Sequence, residues 1–351
     1  MKILITGICG FAGASIAKTL LQSYSNLQIV GLDNFSRKGS EVNIPKLTNL
    51  GIDLIRGDIR SQSDIDALPQ VDWLIDCAAN PSVLAGLDGQ SSSRQLMEHN
   101  LLGTINLLEY CKKHKAGLIL LSTSRVYSAL ELANISVQES NERYEIEHSN
   151  VAGLSSLGIS EKFSTTAPIS LYGATKLASE QLILEYGNAF DFPTWINRCG
   201  VLAGSGQFGK ADQGIFSYWI HSFKEKRPLK YIGFEGTGFQ VRDALHPKDL
   251  VPLLSQQLME PNCEAPKIIN VGGGIENSMS LKQLSNWCEK RFGPNEVVPT
   301  LEQRPMDAPW IVMDSTIVQN AWNWSVKTKL EQILDEIADH ADQNPDWLSL
   351  C

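Results

Sequence analysis

Lys2-Ile-Leu-Ile-Thr6, followed by Gly7-Ile8-Cys9-Gly10-Phe11-Ala12-Gly13, opens the chain, and the reading of these residues decides the fold. KILIT is a short apolar run of strand type. From Phe11 apolar residues recur at i, i+3 and i+4, the spacing of a helix over residues 11–24. Glycines between the two permit a tight turn and a close approach of backbone to a ligand, and the positive end of the helix suits a pyrophosphate. Three glycines alone are a weak sign. Strand, turn and helix in that order are a strong one.

The same texture continues. Residues 28–32, 54–56, 73–76, 118–122 and 194–197 read as strands, and residues 94–114 and 167–190 as helices. Strands alternating with helices predict an α/β fold, a doubly wound parallel sheet of Rossmann type over residues 1–200. Residues 201–351 are mixed, with a strand at 267–271 and helices after Pro247, at 281–291 and at 328–341. They are expected to form a smaller α+β lobe that mainly binds substrate. Residues 129–167 are rich in Ser, Asn, Glu and Gly with little periodicity, a segment expected to be functional or mobile near the catalytic end of the sheet.

Asp33 ends the second strand, about twenty residues after the glycine turn. A carboxylate there accepts the hydroxyls of an adenosine ribose and repels a 2′-phosphate, so NAD is expected over NADP. Arg37 and Lys38 follow and could accept that phosphate, and a turn aspartate before Asn34 is the plainer reading of Asp33. Asp58-Ile59 could bracket the adenine, or Asp58 could cap the helix after Arg60.

Composition narrows the class. The 351 residues are 43% hydrophobic and 20% charged with a formal charge of -9, which argues against a nucleic-acid partner and supplies no basic patch for a membrane surface. Seven scattered cysteines without a CxxC pair read as reduced thiols, six dispersed histidines are not expected to form a metal site, and neither a leader nor a spanning run is expected. A soluble cytoplasmic protein is expected.

The second strong signal is Tyr172-Gly173-Ala174-Thr175-Lys176, which follows LLSTSRVY on the strand ending near Thr123. Residues at i and i+4 share a helix face, so the Lys176 ammonium, together with a nicotinamide ring, is expected to make the Tyr172 phenol more acidic. Thr123 would reach the same substrate hydroxyl.

With these residues the chain resembles the extended short-chain dehydrogenase/reductase (NAD-dependent epimerase/dehydratase) family over essentially its whole length. The stretches at 100–104, 240–249, 270–273 and 304–307 agree. The stretches 32–40, 56–60, 212–214, 239–250 and 277–281 resemble the branch that epimerises CDP-linked deoxysugars at C2. That resemblance implies Thr123, Tyr172 and Lys176 as catalytic residues. NAD would lie against Gly7, Gly10, Phe11, Ala12, Gly13, Asp33, Asn34, Arg37, Asp58, Ile59, Ala78, Ala79, Asn100, Tyr172 and Lys176, the last holding the nicotinamide ribose. A nucleotide sugar, CDP-linked by preference, would meet Ser124, Arg125, Asp212, Gln213 and the two diphosphate-clamping arginines, Arg242 and Arg304. Each arginine has a plainer reading as a salt bridge, and Asp212-Gln213 as a surface turn. His246 and Asp249 read as a polar start to the helix beginning at Pro247.

Ser128, Leu171, Cys9 and Ala12 depart from the family's usual residues. Dehydratases of the family carry Thr-Asp-Glu where this chain has Thr123-Ser124-Arg125, so elimination of water is disfavoured. A 4-epimerase, a ketoreductase or a non-catalytic NAD-binding protein are the alternatives on this scaffold. Helices 94–114 and 167–190 correspond to the family's dimer interface, with Leu101, Leu102, Ile105, Leu108 and Leu182 as candidate contacts, so a homodimer or homotetramer is expected.

Overall fold

A computed structural model describes all residues except 25, 88, 90, 91, 148 and 149. Seven strands, β1 (Lys2–Thr6), β2 (Gln28–Asp33), β3 (Asp53–Arg56), β4 (Trp73–Asp76), β5 (Gly117–Thr123), β6 (Thr194–Cys199) and β7 (Ile268–Val271), form one sheet in the order β7-β6-β5-β4-β1-β2-β3. Every neighbouring pair runs parallel. Parallel crossovers put helices on both faces, so the inner strands are apolar throughout; in β5 all residues but Thr123 are buried.

Alternation along β1 divides the core. Ile3 and Ile5 join the cluster of α1 (Phe11–Ser23), whose Ile16, Ala17 and Leu20 form its buried stripe. Leu4 faces the other layer, with Leu107, Leu108 and Cys111 of α2 (Gly103–His114) and Ile183 of α3 (Leu171–Phe190). Each fully buried Leu or Ile of this kind contributes about 1.5–3 kcal/mol.

The chain after β6 leaves the sheet and returns. Strands Val201–Leu202, Val241–Leu245, Ser278–Ser280 and Trp310–Ile311 build a small mixed sheet, with helices Ile215–Lys224, Leu281–Phe292 and Leu330–Gln343 beside it. Between them β7 comes back to pair with β6.

Three expectations are modified. The helix over 94–114 is interrupted by a π-helical turn, Glu98–Leu102. That turn sets Asn100 to accept the Asn80 N–H at 2.8 Å and to donate to the Asn80 carbonyl and Thr175 Oγ1, each at 3.1 Å, a bridge invisible to periodicity. Leu108 is fully buried in the core, so it packs on the sheet and offers no surface to a partner, whereas Leu102 is 40% exposed. Residues 129–167, apart from 148 and 149, which lie outside the described residues, form a short helix Ala129–Ala133 and two small antiparallel pairs. Leu132, Leu154, Ile159 and Phe163 from this segment pack in one cluster with Trp310 and Met313. Tertiary packing, which no local pattern announces, orders the segment, and among the described residues none of it lines the cavity.

Candidate active site

A cavity of about 450 Å³ opens at the carboxyl ends of the strands, where the sheet order reverses between β1 and β4. The second lobe forms its opposite wall. Gly7, Gly10, Phe11, Ala12, Gly13, Asp33, Asn34, Arg37, Asp58, Ile59, Ala78 and Ala79 line one end, and Thr123, Ser124, Arg125, Tyr172, Asp212, Gln213, Arg242 and Arg304 the remainder. Lys176 and Asn100 stand behind this wall, both buried.

The glycine turn is obligatory. Gly7 has φ +60°, and a Cβ there would stand 2.9 Å from the Ala78 Cα; one on Gly13 would stand 2.5 Å from the Gly7 carbonyl oxygen. Helix α1 starts at this turn with no side chain capping it, so its first N–H groups are available to an anion. Asp33 sits beside them, its Oδ2 accepting the Cys9 N–H and its Oδ1 the Phe35 N–H, each at 2.8 Å. Burial pushes the Asp33 carboxyl up, against those two hydrogen bonds.

The two basic residues that could welcome a 2′-phosphate are engaged elsewhere. Arg37 donates to Gln213 Oε1 at 2.8 Å and to the Phe208 carbonyl, and Lys38 donates to the Ser349 carbonyl at 2.8 Å. These residues therefore fit an NAD dinucleotide with free ribose hydroxyls. Asp58 is gripped by Arg60 at 2.7 Å and by Asn34 at 2.9 Å. Burial opposes its ionisation, but these hydrogen bonds prevail and hold the carboxyl well below its ordinary range. The cap-like reading thus describes its geometry, although it also lines the cavity.

Residues 207–214 cross the cleft as a strap. Its Gln213 and the Phe208 carbonyl meet Arg37, and on the opposite side Asp212 accepts the Ser82 hydroxyl at 2.6 Å. Asp212 and Gln213 therefore take part in closing the cleft. Ser82 and Phe208 carried no sequence signal, because their partners lie 130 and 171 residues away.

Tyr172 lies near the start of α3, which Ser170 caps by accepting the Gly173 N–H at 3.0 Å. Burial pushes the phenol up to about 12. A Thr123 hydrogen bond and the charge of Arg125 act to lower it, and the Cys199 thiol adds to the rise. Lys176, buried one turn further along the same helix, acts against the rise in the thiols of Cys77 and Cys199. Spacing within the helix indicated the lysine; the arginine arrives from another element.

Three guanidiniums gather on the turn Arg304-Pro305-Met306-Asp307. Arg304 belongs to it, Arg125 Nη1 donates to the Met306 carbonyl at 3.3 Å, and Arg242 Nη2 donates to Asp307 Oδ1 at 2.7 Å. Met306 holds a left-handed φ of +58°, a conformation that costs energy in a non-glycine residue and clusters at functional sites. Asp307 was missed as a site residue, since its pairing with Arg242 spans 65 residues. The cavity's carboxylates among the described residues are Asp33, Asp58, Asp212 and Asp307. Each already accepts hydrogen bonds.

Beneath the site, Ser122 Oγ donates to Glu180 Oε1 at 2.5 Å, and Arg198 Nη1 to the Tyr127 hydroxyl at 3.3 Å. Tyr127 in turn donates to Asn270 Oδ1 at 2.7 Å. Strands β5, β6 and β7 are thereby tied to α3. His246 Nδ1 accepts the Lys248 N–H at 3.0 Å, and Asp249 holds the N–H groups of Lys327 and Thr328, so both are structural. Among the described residues no cluster of three His, Cys, Asp or Glu could hold a metal, and no helix is long and apolar enough to cross a membrane.

A glycine turn that fits a dinucleotide and the Tyr172–Thr123 pair line one cavity. Residues 3–272 match the NAD dependent epimerase/dehydratase family, and the chain belongs to it. NAD is its cofactor. CDP-paratose 2-epimerase of Salmonella typhi is 29% identical over 347 residues, 97% of this chain and 98% of that protein. A trifunctional UDP-glucose 4,6-dehydratase/UDP-4-keto-6-deoxy-D-glucose 3,5-epimerase/UDP-4-keto-L-rhamnose-reductase of Arabidopsis thaliana is 26% identical over 99% of this chain, which spans 48% of that protein's length. The structure of UDP-glucuronic acid 4-epimerase from Bacillus cereus in complex with NAD superposes with a TM-score of 0.75 at 26% identity, covering 98% of this chain and 99% of that one.

Proposed function

We propose that this protein epimerises a nucleotide sugar by transient oxidation and re-reduction, acting at C2 of a CDP-linked deoxysugar of the CDP-paratose/CDP-tyvelose type. One arrangement carries the reading: a buried tyrosine, hydrogen-bonded by Thr123, shares a cavity wall with three arginines gathered on one turn. In a nucleotide sugar, C2 is bonded to the carbon that bears the diphosphate. A base that works at C2 must therefore stand close to the groups that grip that anion, while a base working at C4 stands across the ring. Arg125, beside Tyr172, favours the former. The likeness to the Salmonella typhi CDP-paratose 2-epimerase points the same way.

In this reading Tyr172 as phenolate takes the substrate hydroxyl proton and Thr123 steadies the same oxygen. Arg242 and Arg304 hold the diphosphate with guanidinium forks while the ketose turns over. NAD, when bound, supplies a reversible hydride acceptor, so no net redox partner is consumed. We place the protein in the cytoplasm as a homodimer or homotetramer paired through residues 94–114 and 167–190.

The test uses CDP-paratose deuterated at C2, alongside UDP-, GDP- and dTDP-linked sugars. Epimerisation with the label retained in the product is expected. Exchange of the label with solvent would require deprotonation beside a carbonyl and would end the transient-oxidation reading. Turnover of another nucleotide's sugar alone would end the CDP assignment.

A further inference from the structure

We propose that Trp347 is a positioning residue that fastens the strap 207–214 across the cofactor cleft, so that bound NAD leaves only when this fastening opens. The inference takes NAD as the cofactor and is independent of which sugar is turned over.

The strap has a shape of its own. Gly206 and Gly214 bound it with φ of +77° and +73°, and inside it Lys210 and Gln213 exchange backbone hydrogen bonds of 2.7 and 3.1 Å. Gln207, Phe208, Asp212 and Gln213 line the same cavity as the glycine turn. Asp212 ties the strap to Ser82 on one bank, and Gln213 with the Phe208 carbonyl ties it to Arg37 on the other. These bonds are only half-buried, and on opening each is exchanged for one with water, so their net hold is modest.

A firmer hold comes from the single turn Trp347–Leu350, entered through Asp346 at a left-handed φ of +63°. The buried Trp347 ring stacks on Phe208, with centroids 5.3 Å apart and planes 15° apart, and its Nε1 donates to the Gln207 carbonyl at 3.0 Å. His340, from the helix Leu330–Gln343, meets the indole edge-on at 4.5 Å and fixes it in the second lobe. The same turn grips the loop that follows Asp33. The Ser349 carbonyl accepts from Lys38, and a Cβ on Gly39 would stand 2.8 Å from the Leu350 carbonyl oxygen and 3.2 Å from the Phe208 ring. Strap, turn and cofactor-side loop therefore interlock.

Burial ranks these contacts. The Lys38 bond is exposed, whereas Phe208, Trp347 and Leu348 form a buried apolar cluster of their own. That cluster is distinct from the cores of the two lobes, so removing its aromatic centre frees the strap without emptying a core. Trp347 itself lines none of the cavity, and its action on NAD passes through Gln207 and Phe208, which do.

The experiment loads the protein with radiolabelled NAD, chases with unlabelled NAD, and follows tryptic cleavage after Lys210 in a separate sample. Cleavage there requires the turn 210–213 to leave its two backbone bonds, so it reports strap opening without any sugar. In Trp347→Ala, loss of a stacked pair and a hydrogen bond should release the label about tenfold faster or more. Cleavage at Lys210 should quicken with it, while cleavage elsewhere stays unchanged. Trp347→Phe keeps a stacked ring and loses the N–H, and should return release to within about fourfold of wild type. Trp347→Leu supplies the same readouts should the alanine variant not fold. Unchanged release would overturn the proposal. Faster release with Lys210 cut at the wild-type rate would mean that Trp347 acts on the site by another route, and faster cleavage at every site would mean a general loosening; either overturns it. Failure of the CDP-sugar assignment would leave both readouts unaffected.

Discussion

Arg198 and Glu180 meet in an ion pair that solvent does not reach, with Arg198 Nη2 2.6 Å from Glu180 Oε2 and Nε 3.1 Å from both carboxylate oxygens. The pair fastens α3 to β6 two turns beyond Tyr172. Removing one partner leaves the other charge buried and uncompensated. Glu180→Ala is therefore expected to cost about 3–5 kcal/mol of stability. Urea denaturation checks this, and a loss below about 1 kcal/mol would mean that water compensates the arginine.

Cofactor choice follows from Asp33. Asp33→Ala should narrow the preference for NAD over NADP by about 1–3 kcal/mol, the scale for a hydrogen bond to a charged group. Arg37 and Lys38 are bonded elsewhere, so the variant should lose NAD affinity more than it gains NADP affinity. Calorimetric titration with both dinucleotides decides. Equal affinity of the unaltered protein for the two would contradict the role given to Asp33.

Tyr172→Phe keeps the ring and removes the proton acceptor. Turnover should fall about 100-fold or more while NAD still binds. Thr123→Ala should cost less, because it removes an assisting hydrogen bond. Wild-type turnover by Tyr172→Phe would move the base elsewhere.

How much of this was legible beforehand depended on range. The run from Lys2 to Gly13 holds strand, turn and helix start within twelve residues, and its local pattern sufficed for the fold class. Residues 167–190 read as a helix, but it starts at Leu171, where Ser170 supplies the cap. The π-helical turn at Asn100 obeys bonds to Asn80 and Thr175 that no periodicity contains. The same limit hid the engagement of Arg37 by Gln213 and of Arg242 by Asp307, pairs that only the folded chain brings together.

Asp243 gives the fold a pH dependence of a definite sign. It is fully buried, and burial raises its carboxyl from an ordinary 3.8 to about 6, although the Met313 and Gly274 N–H groups act against the rise. The native state favours the protonated form. Stability from this group is thus full below pH 3.8 and falls as pH rises through about 6. The loss is on the order of 3 kcal/mol. In Asp243→Asn the difference from wild type should change between pH 4 and 7, measured by denaturation across that range. A constant difference would mean that the carboxyl does not titrate there.

Assembly can be probed at Leu102, which is 40% exposed. Leu102→Glu should shift the protein toward monomer at micromolar concentration by light scattering. A monomer in the unaltered protein would contradict pairing through this helix.

The return of the chain to its first sheet has a consequence during synthesis. All six residues of β6 are buried, yet β7, the neighbour that covers its outer edge, is encoded after residues 200–267. At about 5–20 residues per second, the ribosome leaves that edge unpaired for several seconds. An unpaired edge strand is a template for mispairing throughout such an interval. Chains halted between residues 200 and 267 should therefore depend on chaperones far more than chains halted beyond residue 271.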